Sequence, residues 1–272
     1  MKAMILAAGL GTRLGALTRE RPKALAEVAG QTLLEITLGR LRQFGIDEVI
    51  INVHHHPDMV VEYLRAHHDF GMRITISREE QLLDTGGGLK NAAHFFLRDG
   101  DPQDGEPPFV LHNVDVLSSI DLGEMVRLHR ARHALATLAT QQRESSRYLL
   151  FDEQLTLCGR RAGAEMEMIR RAASVQELAF TGIHVISPRI FELMESESME
   201  SGKLMAGAAS GSAGSEPQAF PIIPQYLRMA AAGETIVAYR ADASYWRDLG
   251  TPASLQHATE DVAQKLIALP AR

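Results

Sequence analysis

A chain of 272 residues with 45% hydrophobic content has enough apolar material for one large core, or for one core with a small lobe. Its 28 Lys plus Arg against 34 Asp plus Glu leave a formal charge of −6, which argues against the broad basic footprint of a nucleic-acid binder, so any anion site must be built from local cations. The single cysteine, Cys158, excludes an intrachain disulfide and suits a reducing compartment.

The chain opens on the apolar stretch Met1 to Ala8, interrupted by Gly9. It is too short for a membrane span or a signal-peptide core and reads as a buried strand of a cytoplasmic protein, with Met4 to Ala7 at its centre. Leu33, Leu34, Leu38, Leu41 and Phe44 recur at helical spacing, and Gly45 ends that helix. Glu48 to Val53 is a β-branched strand, Pro57 to His67 a helix, Arg73 to Ser77 a short strand, and Phe109 to His112 another strand that runs into the polar tip Asn113-Val114-Asp115. Strands alternating with helices predict an α/β, Rossmann-like, mainly parallel sheet with helices on both faces.

After a charged helix from Asp121 to Arg132, the pattern becomes more mixed. Strands are expected at Ala136 to Ala139, Tyr148 to Phe151 and Phe180 to Ile186, and helices at Pro188 to Met194, Ile222 to Ala232 and Pro252 to Leu266. Residues 195–218 are rich in Ser, Gly, Ala and Glu and read as a mobile loop, because such a composition buries too little apolar area to offset ordering entropy. Residues 1–272 are expected to form a single domain, without an appended C-terminal β-helix.

The turn after the first strand is Leu6-Ala7-Ala8-Gly9-Leu10-Gly11-Thr12-Arg13-Leu14. Small residues and two glycines let backbone N–H groups approach a phosphate, and Arg13 adds a cationic fork. Leu14 stands where a dinucleotide fingerprint needs its third glycine, and the strand ending Asn52-Val53-His54 lacks the acidic ribose residue. The Gly-Lys-Ser/Thr of a Walker A loop is absent. Taken alone, the loop also fits a plain structural turn. Next comes Arg21-Pro22-Lys23-Ala24-Leu25, where Pro22 stiffens the segment that presents Lys23.

Together these two segments resemble the sugar-1-phosphate nucleotidyltransferase family, and the resemblance runs on through Asp84-Thr85-Gly86-Gly87-Gly88-Leu89, Asn113-Val114-Asp115, Phe180-Thr181-Gly182-Ile183 and Trp246-Arg247-Asp248-Leu249-Gly250-Thr251-Pro252. It implies that fold with a small sugar-binding lobe. It also implies a Mg²⁺-dependent reaction that joins an NTP to a sugar 1-phosphate and releases pyrophosphate. Arg13 and Lys23 are the implied catalytic cations. Leu6, Ala8, Gly9, Gly11, Thr12, Thr85, Gly86, Gly87, Gly88 and Asn113 would bind the nucleotide, with Thr85 to Gly88 as a base-recognition loop. Thr181 and Gly182 would bind the sugar, and Asp115 and Asp248 the metal. A phosphate monoester is already largely dianionic near neutral pH, so this chemistry needs cations and N–H donors rather than a general base.

The resemblance favours UTP with an N-acetylmuramic acid or other hexosamine 1-phosphate, as in cell-wall precursor synthesis. Mannose- or heptose-1-phosphate guanylyl transfer, cytidylyl transfer to phosphocholine, and a catalytically silent nucleotide-sugar sensor are the alternatives. No nucleic-acid or membrane partner is expected, and the chain should be a monomer or weak dimer.

Two departures from the family pattern stand out. Val114 replaces the usual glycine before the metal-site aspartate and disfavours a positive φ, which predicts a reshaped loop. The cation before the sugar strand is missing, with Arg170 or Arg171 as candidate substitutes. Of the remaining features, His54-His55-His56 cannot easily close on one metal from an extended segment. Trp246 is expected to pack so as to orient Asp248, and Cys158 to be a small buried residue.

Overall fold

The computed structural model describes residues 1–97, 106–194 and 217–271; most of the Ser/Gly-rich segment therefore lies outside the described residues. The strands, in chain order, are β1 Lys2–Leu6, β2 Glu27–Val28, β3 Gln31–Thr32, β4 Glu48–Val53, β5 Arg73–Arg78, β6 Phe109–Asn113 and β7 Val116–Ser118. They continue as β8 Ala136–Gln141, β9 Arg147–Phe151, β10 Leu157–Ala162, β11 Glu165–Met168, β12 Gln176–Ile186, β13 Ile236–Arg240 and β14 Trp246–Asp248. Ten of these form one sheet along the path β11-β10-β9-β12-β6-β1-β4-β5, with β8 and β13 added beside β12.

The strands β6, β1, β4 and β5 are parallel neighbours. β1, β4 and β6 alternate apolar residues between two cores, as strands with both faces covered must, whereas β5 turns Ile74 and Ile76 to one core. Ala3 and Ile5 of β1 pack with Leu34 and Leu38 of the helix Leu33–Gln43, while Met4 packs on the other face with Leu89, Phe109 and Tyr226. The same division puts Val49 and Ile51 on one side of β4 and Ile50 on the other. The Leu33–Gln43 helix starts where the Thr32 side chain accepts a hydrogen bond from Glu35 N at 3.1 Å, and the chain leaves it through Gly45 at φ 70.

Antiparallel strands extend the sheet beyond β6. The long β12 pairs with β6, β8 and β9, and β9 carries the β10–β11 hairpin outward as a smaller lobe. In the middle of β12 the register with β8 slips between Phe180 and His184, where Gly182 takes φ 83. The slip bends the strand.

Parallel strands deliver their carboxyl ends to one edge, and ligands in such sheets collect there. Leu6, Asn52 and Asn113 are level across β1, β4 and β6 at that edge. The bend in β12 lies beside Asn113, because Ile183 is the partner of His112. Two short ladders lie outside the main sheet: β2 with β3, and β7 with β14. The second brings the C-terminal part of the chain to the tip that follows β6. Among the described residues, no helix is long and apolar enough to cross a membrane.

The interior also holds neutral histidines. Burial pushes His129 down to about 4 and His184 down to about 3; the first bonds to Thr137 Oγ1 at 3.1 Å and the second to Tyr226 OH at 2.8 Å. Because both folded-state values lie below the unfolded value, the unfolded chain takes up protons first as the pH falls. Stability should therefore be level above about pH 7 and fall as pH drops below about 6.5, by up to about 1.4 kcal/mol per unit for each histidine. Urea unfolding at pH 7.5 and pH 5 should give a midpoint about 1 M lower at pH 5. His184→Gln should flatten that slope, and an unchanged slope would remove His184 as its source.

Candidate active site

The glycine-rich turn hangs from a pinned strand end. Ala7 N donates to Asn52 Oδ1 at 2.8 Å, Asn52 Nδ2 donates to Glu79 Oε1 at 2.7 Å, and Glu79 Oε2 accepts from Leu83 N at 3.0 Å. Asn52 and Glu79 are buried. Beyond them, Gly9 is exposed and a Cβ there would meet nothing within 4 Å. Gly11 differs. It stands at φ 65, and a Cβ would meet Thr18 Cγ2 at 2.9 Å and Lys23 Cβ at 3.0 Å. Gly11 is thus required by the fold, whereas Gly9 leaves room for a ligand. Leu14 and Thr18 anchor the turn, while Thr12 and Arg13 stand exposed at its rim.

At the end of β4, His55 and His56 hold the segment that follows this turn, while His54 holds the end of β5. Their ring nitrogens bond to three different carbonyls: Glu79 O at 2.9 Å, Thr18 O at 2.9 Å and Arg19 O at 3.1 Å. Each ring serves a separate backbone group, which accounts for three adjacent histidines without a metal.

Two carboxylates and two cations meet at the strand ends. Pro22 leads into the buried 3-10 turn Lys23–Leu25, which fixes Lys23 against Asp115 in a hydrogen-bonded ion pair. Arg13 Nη1 lies 3.4 Å from Asp248 Oδ1. The carboxylates belong to adjacent backbone: Asp248 is the register partner of Val116, and Leu249 N donates to Asp115 O at 2.8 Å. Gly250 makes the Arg13–Asp248 approach possible, since a Cβ there would overlap the Arg13 guanidinium, and its N–H donates to Asp248 Oδ1 at 3.0 Å.

Val114 sits in this tip without the positive φ that would strain it. Its N–H donates to Leu6 O at 3.1 Å, its side chain is buried, and its φ is not positive. The valine simply carries the β6–β1 pairing one residue further, so that Asp115 emerges at the turn into β7. Two carboxylates are a hard-oxygen donor set suited to a divalent cation that fills its remaining positions with water and phosphate oxygens. Among the described residues, no group of three or more His, Cys, Asp or Glu could hold a metal by itself.

The Thr-Gly-Gly-Gly segment is not a loop. It forms the start of the helix Asp84–Asn91. Gly86 N and Gly87 N both donate to Phe220 O, at 2.9 and 3.1 Å, and Thr85 Oγ1 accepts from Ile222 N at 2.9 Å. Side chains at Gly86 or Gly87 would overlap Phe220 or the Gln218 carbonyl. The N–H groups expected to read a base at these two glycines are therefore engaged within the fold. Gly88 faces the buried network, where a Cβ would lie 2.8 Å from Glu79 Oε1 and 2.9 Å from Asn52 Nδ2. Gly88→Val should accordingly destabilise the protein by about 1–3 kcal/mol as well as disturb the Ala7 end of the site. A Gly88→Val protein with an unchanged melting temperature would contradict this.

On the sugar side, Thr181 is also committed internally. Its hydroxyl donates to Ala139 O at 2.8 Å, and its carbonyl accepts from Trp246 Nε1 at 2.8 Å. Thr181 thus holds Trp246, two residues before Asp248, and does not offer its hydroxyl to a sugar. Gly182 abuts Asn113, where a Cβ would come within 2.8 Å of Nδ2. The Arg143 guanidinium lies 3.8 Å from the Trp246 ring centroid and donates to Phe180 O at 3.0 Å. Arg170 and Arg171 are exposed, and Arg170 N donates to Cys158 O beside the Phe151 end of β9. Sequence reasoning overlooked Asn52, Glu79, Arg143 and Gly250. Asn52 did leave a signal, as the single polar residue in the apolar run of β4.

The family model described as Nucleotidyl transferase matches residues 2–152. The chain is 31% identical over 259 residues to the N-acetylmuramate alpha-1-phosphate uridylyltransferase of Caulobacter vibrioides, covering 92% of each chain. It is 31% identical over 198 residues to the probable mannose-1-phosphate guanylyltransferase 2 of Oryza sativa subsp. japonica, covering 72% of this chain and 52% of that one. A UDP-glucose pyrophosphorylase solved with UDP-glucose superposes with a TM-score of 0.70 over 97% of this chain and 98% of that one, at 18% identity, a likeness of fold alone.

Proposed function

The chain belongs to the nucleotidyl transferase family of sugar-1-phosphate nucleotidyltransferases, and on that premise we propose that it transfers a nucleotidyl group from a Mg²⁺-bound NTP to a hexosamine 1-phosphate, with UTP and an N-acetylmuramate-type sugar as the favoured pair. The observation that carries the proposal is the double ion pair, Lys23 with Asp115 and Arg13 with Asp248, at the carboxyl edge of β1 and β6. Both cations stand beside the turn with free space at Gly9. The choice of base and sugar rests on the relative that matches at nearly full length. Guanylyl transfer to mannose 1-phosphate is the second reading, favoured by the shorter match to the rice relative.

In the reaction, an oxygen of the sugar phosphate forms a bond to the α-phosphorus of the NTP. The bond between that phosphorus and the α,β-bridging oxygen breaks, and its electron pair leaves on pyrophosphate. The nucleophile is already anionic, so no side chain need remove a proton. Asp115 and Asp248 would hold Mg²⁺, which when bound neutralises phosphate charge. Arg13, on the exposed turn, would then exchange Asp248 for the β- and γ-phosphates. Lys23 would exchange Asp115 for the α-phosphate, where old and new bonds meet. The glycine-rich turn from Leu6 through Ala8, Gly9, Gly11 and Thr12 would carry the triphosphate, with Asn113 also on the nucleotide and Gly182 at the sugar side. A cytoplasmic monomer or weak dimer fits this chemistry.

A thermal-shift series with UTP, GTP, CTP, ATP and dTTP, each with Mg²⁺, tests the base. A nucleotide at about 100 times its Kd adds about 2.7 kcal/mol of stability, so the true substrate should raise the melting temperature by several degrees. UTP is expected to give the largest shift. A larger shift with GTP would replace the first reading by the second.

A further inference from the structure

We propose that Arg143 is the cation that receives the sugar phosphate, in place of the missing cation before the sugar strand; this deepens the transferase reading and rests on it. Arg143 follows β8 and stands over the indole of Trp246. Trp246 and Asp248 are two apart on β14, so their side chains leave the same face of that strand. Arg143 is thereby held next to the carboxylate assigned to the metal. It is close enough for the Asp248 charge to act on it.

Its hydrogen bonds leave it charged and incompletely matched. Nη2 donates to Phe180 O at 3.0 Å, Nη1 donates to Glu144 O at 3.3 Å, and Nε is buried without an acceptor. Its described partners are thus two carbonyls and an aromatic face. None of them neutralises it. The nearby Asp248 is already paired with Arg13, and the buried Nε still lacks an acceptor, so an anion on this side would complete the guanidinium.

The location fits one anion in particular. Lys23 and Arg13 lie on the side of the glycine-rich turn and face the triphosphate. Arg143 stands further along the same face of β14, over Trp246 and bonded to Phe180 O, where the sugar strand bends beside Asn113. A sugar phosphate entering between Asp248 and Gly182 brings two negative charges toward a metal already bound to phosphates. It needs a cation on its own side. A guanidinium also offers a fork that matches phosphate oxygens, which an ammonium does not. Arg170 cannot share this task, because it sits beside the Phe151 end of β9 while Arg143 precedes its Arg147 end.

The test is steady-state kinetics on the full chain, with the NTP and sugar 1-phosphate pair that the wild type turns over from UTP and GTP against the 1-phosphates of glucose, mannose, N-acetylglucosamine and N-acetylmuramate. Arg143→Gln should raise the KM for the sugar 1-phosphate about 10-fold or more and leave the NTP KM within about 3-fold. Arg143→Lys should recover part of that loss. If Arg143 only props Trp246 and Asp248, both KM values should rise together and lysine should not help, which would overturn the proposal. A sugar 1-phosphate KM unchanged in Arg143→Gln would overturn it as well. A wild-type chain that turned over none of the pairs would instead strike the transferase reading, and this assignment with it.

Discussion

Asp115→Asn and Asp248→Asn should each slow pyrophosphate release at least about 100-fold, equivalent to about 2.7 kcal/mol of transition-state stabilisation. Each change keeps the side-chain shape and removes one full charge from the pair that would hold the metal. The carboxylates are joined through backbone, by Leu249 N to Asp115 O at 2.8 Å and the Asp248–Val116 register, so they act as a unit. The double variant should therefore be little slower than either single variant. Stability moves differently at the two positions. Asp115 is largely enclosed with Lys23, so Asp115→Asn leaves a lysine without its counter-charge in a confined place, while the Arg13–Asp248 pair is open to water and contributes little. The Asp115→Asn protein should melt lower than Asp248→Asn although both lose activity alike. Full activity in either variant, measured with saturating Mg²⁺, would remove that carboxylate from the site.

Lys23→Ala should cut kcat by about 100-fold while raising the NTP KM by much less. Lys23 emerges from a buried turn fixed by Pro22, with Leu25 N bonded to Pro22 O at 3.0 Å and Ala26 N to Lys23 O at 2.9 Å. Such a side chain is preorganised, and its charge is most useful where negative charge shifts during bond exchange. Arg13 stands on an exposed turn and reaches outward, so Arg13→Ala should raise the NTP KM more than it lowers kcat. Reversed patterns in the two variants would exchange their roles. Lys23→Ala also leaves Asp115 unpaired, so the variant must be compared at a temperature well below its own melting point.

Much of this was legible in the sequence because the signals were local and repeated. β4 was read at its observed bounds from β-branched residues alone, and the Leu33–Gln43 helix from the spacing of its leucines. β1 and β6 followed from apolar runs, with their ends read one residue off, at Ala7 for Leu6 and at His112 for Asn113. What was missed depends on partners distant in sequence. Thr85-Gly86-Gly87-Gly88 resembles a base-recognition loop, yet it is helical, with residues 217–220 pressed against it where only glycine fits the gap. Thr181 looks available to a sugar until Ala139 and Trp246 take both its oxygens. Val114 looks disruptive only if the tip needs a positive φ, and its φ is not positive while its N–H is bonded to Leu6 O. Arg143 gives no signal of its own, since nothing in Gln141-Gln142-Arg143-Glu144 says that an indole from position 246 will lie under it.

The most direct measurement is pyrophosphate release from purified protein with UTP or GTP, with and without a sugar 1-phosphate, and with and without Mg²⁺. The transferase account predicts release only when all three are present, one pyrophosphate for each NDP-sugar formed, and loss of both products in Asp115→Asn. Nucleotide binding with no pyrophosphate from any combination would contradict it and favour a silent nucleotide-sugar sensor.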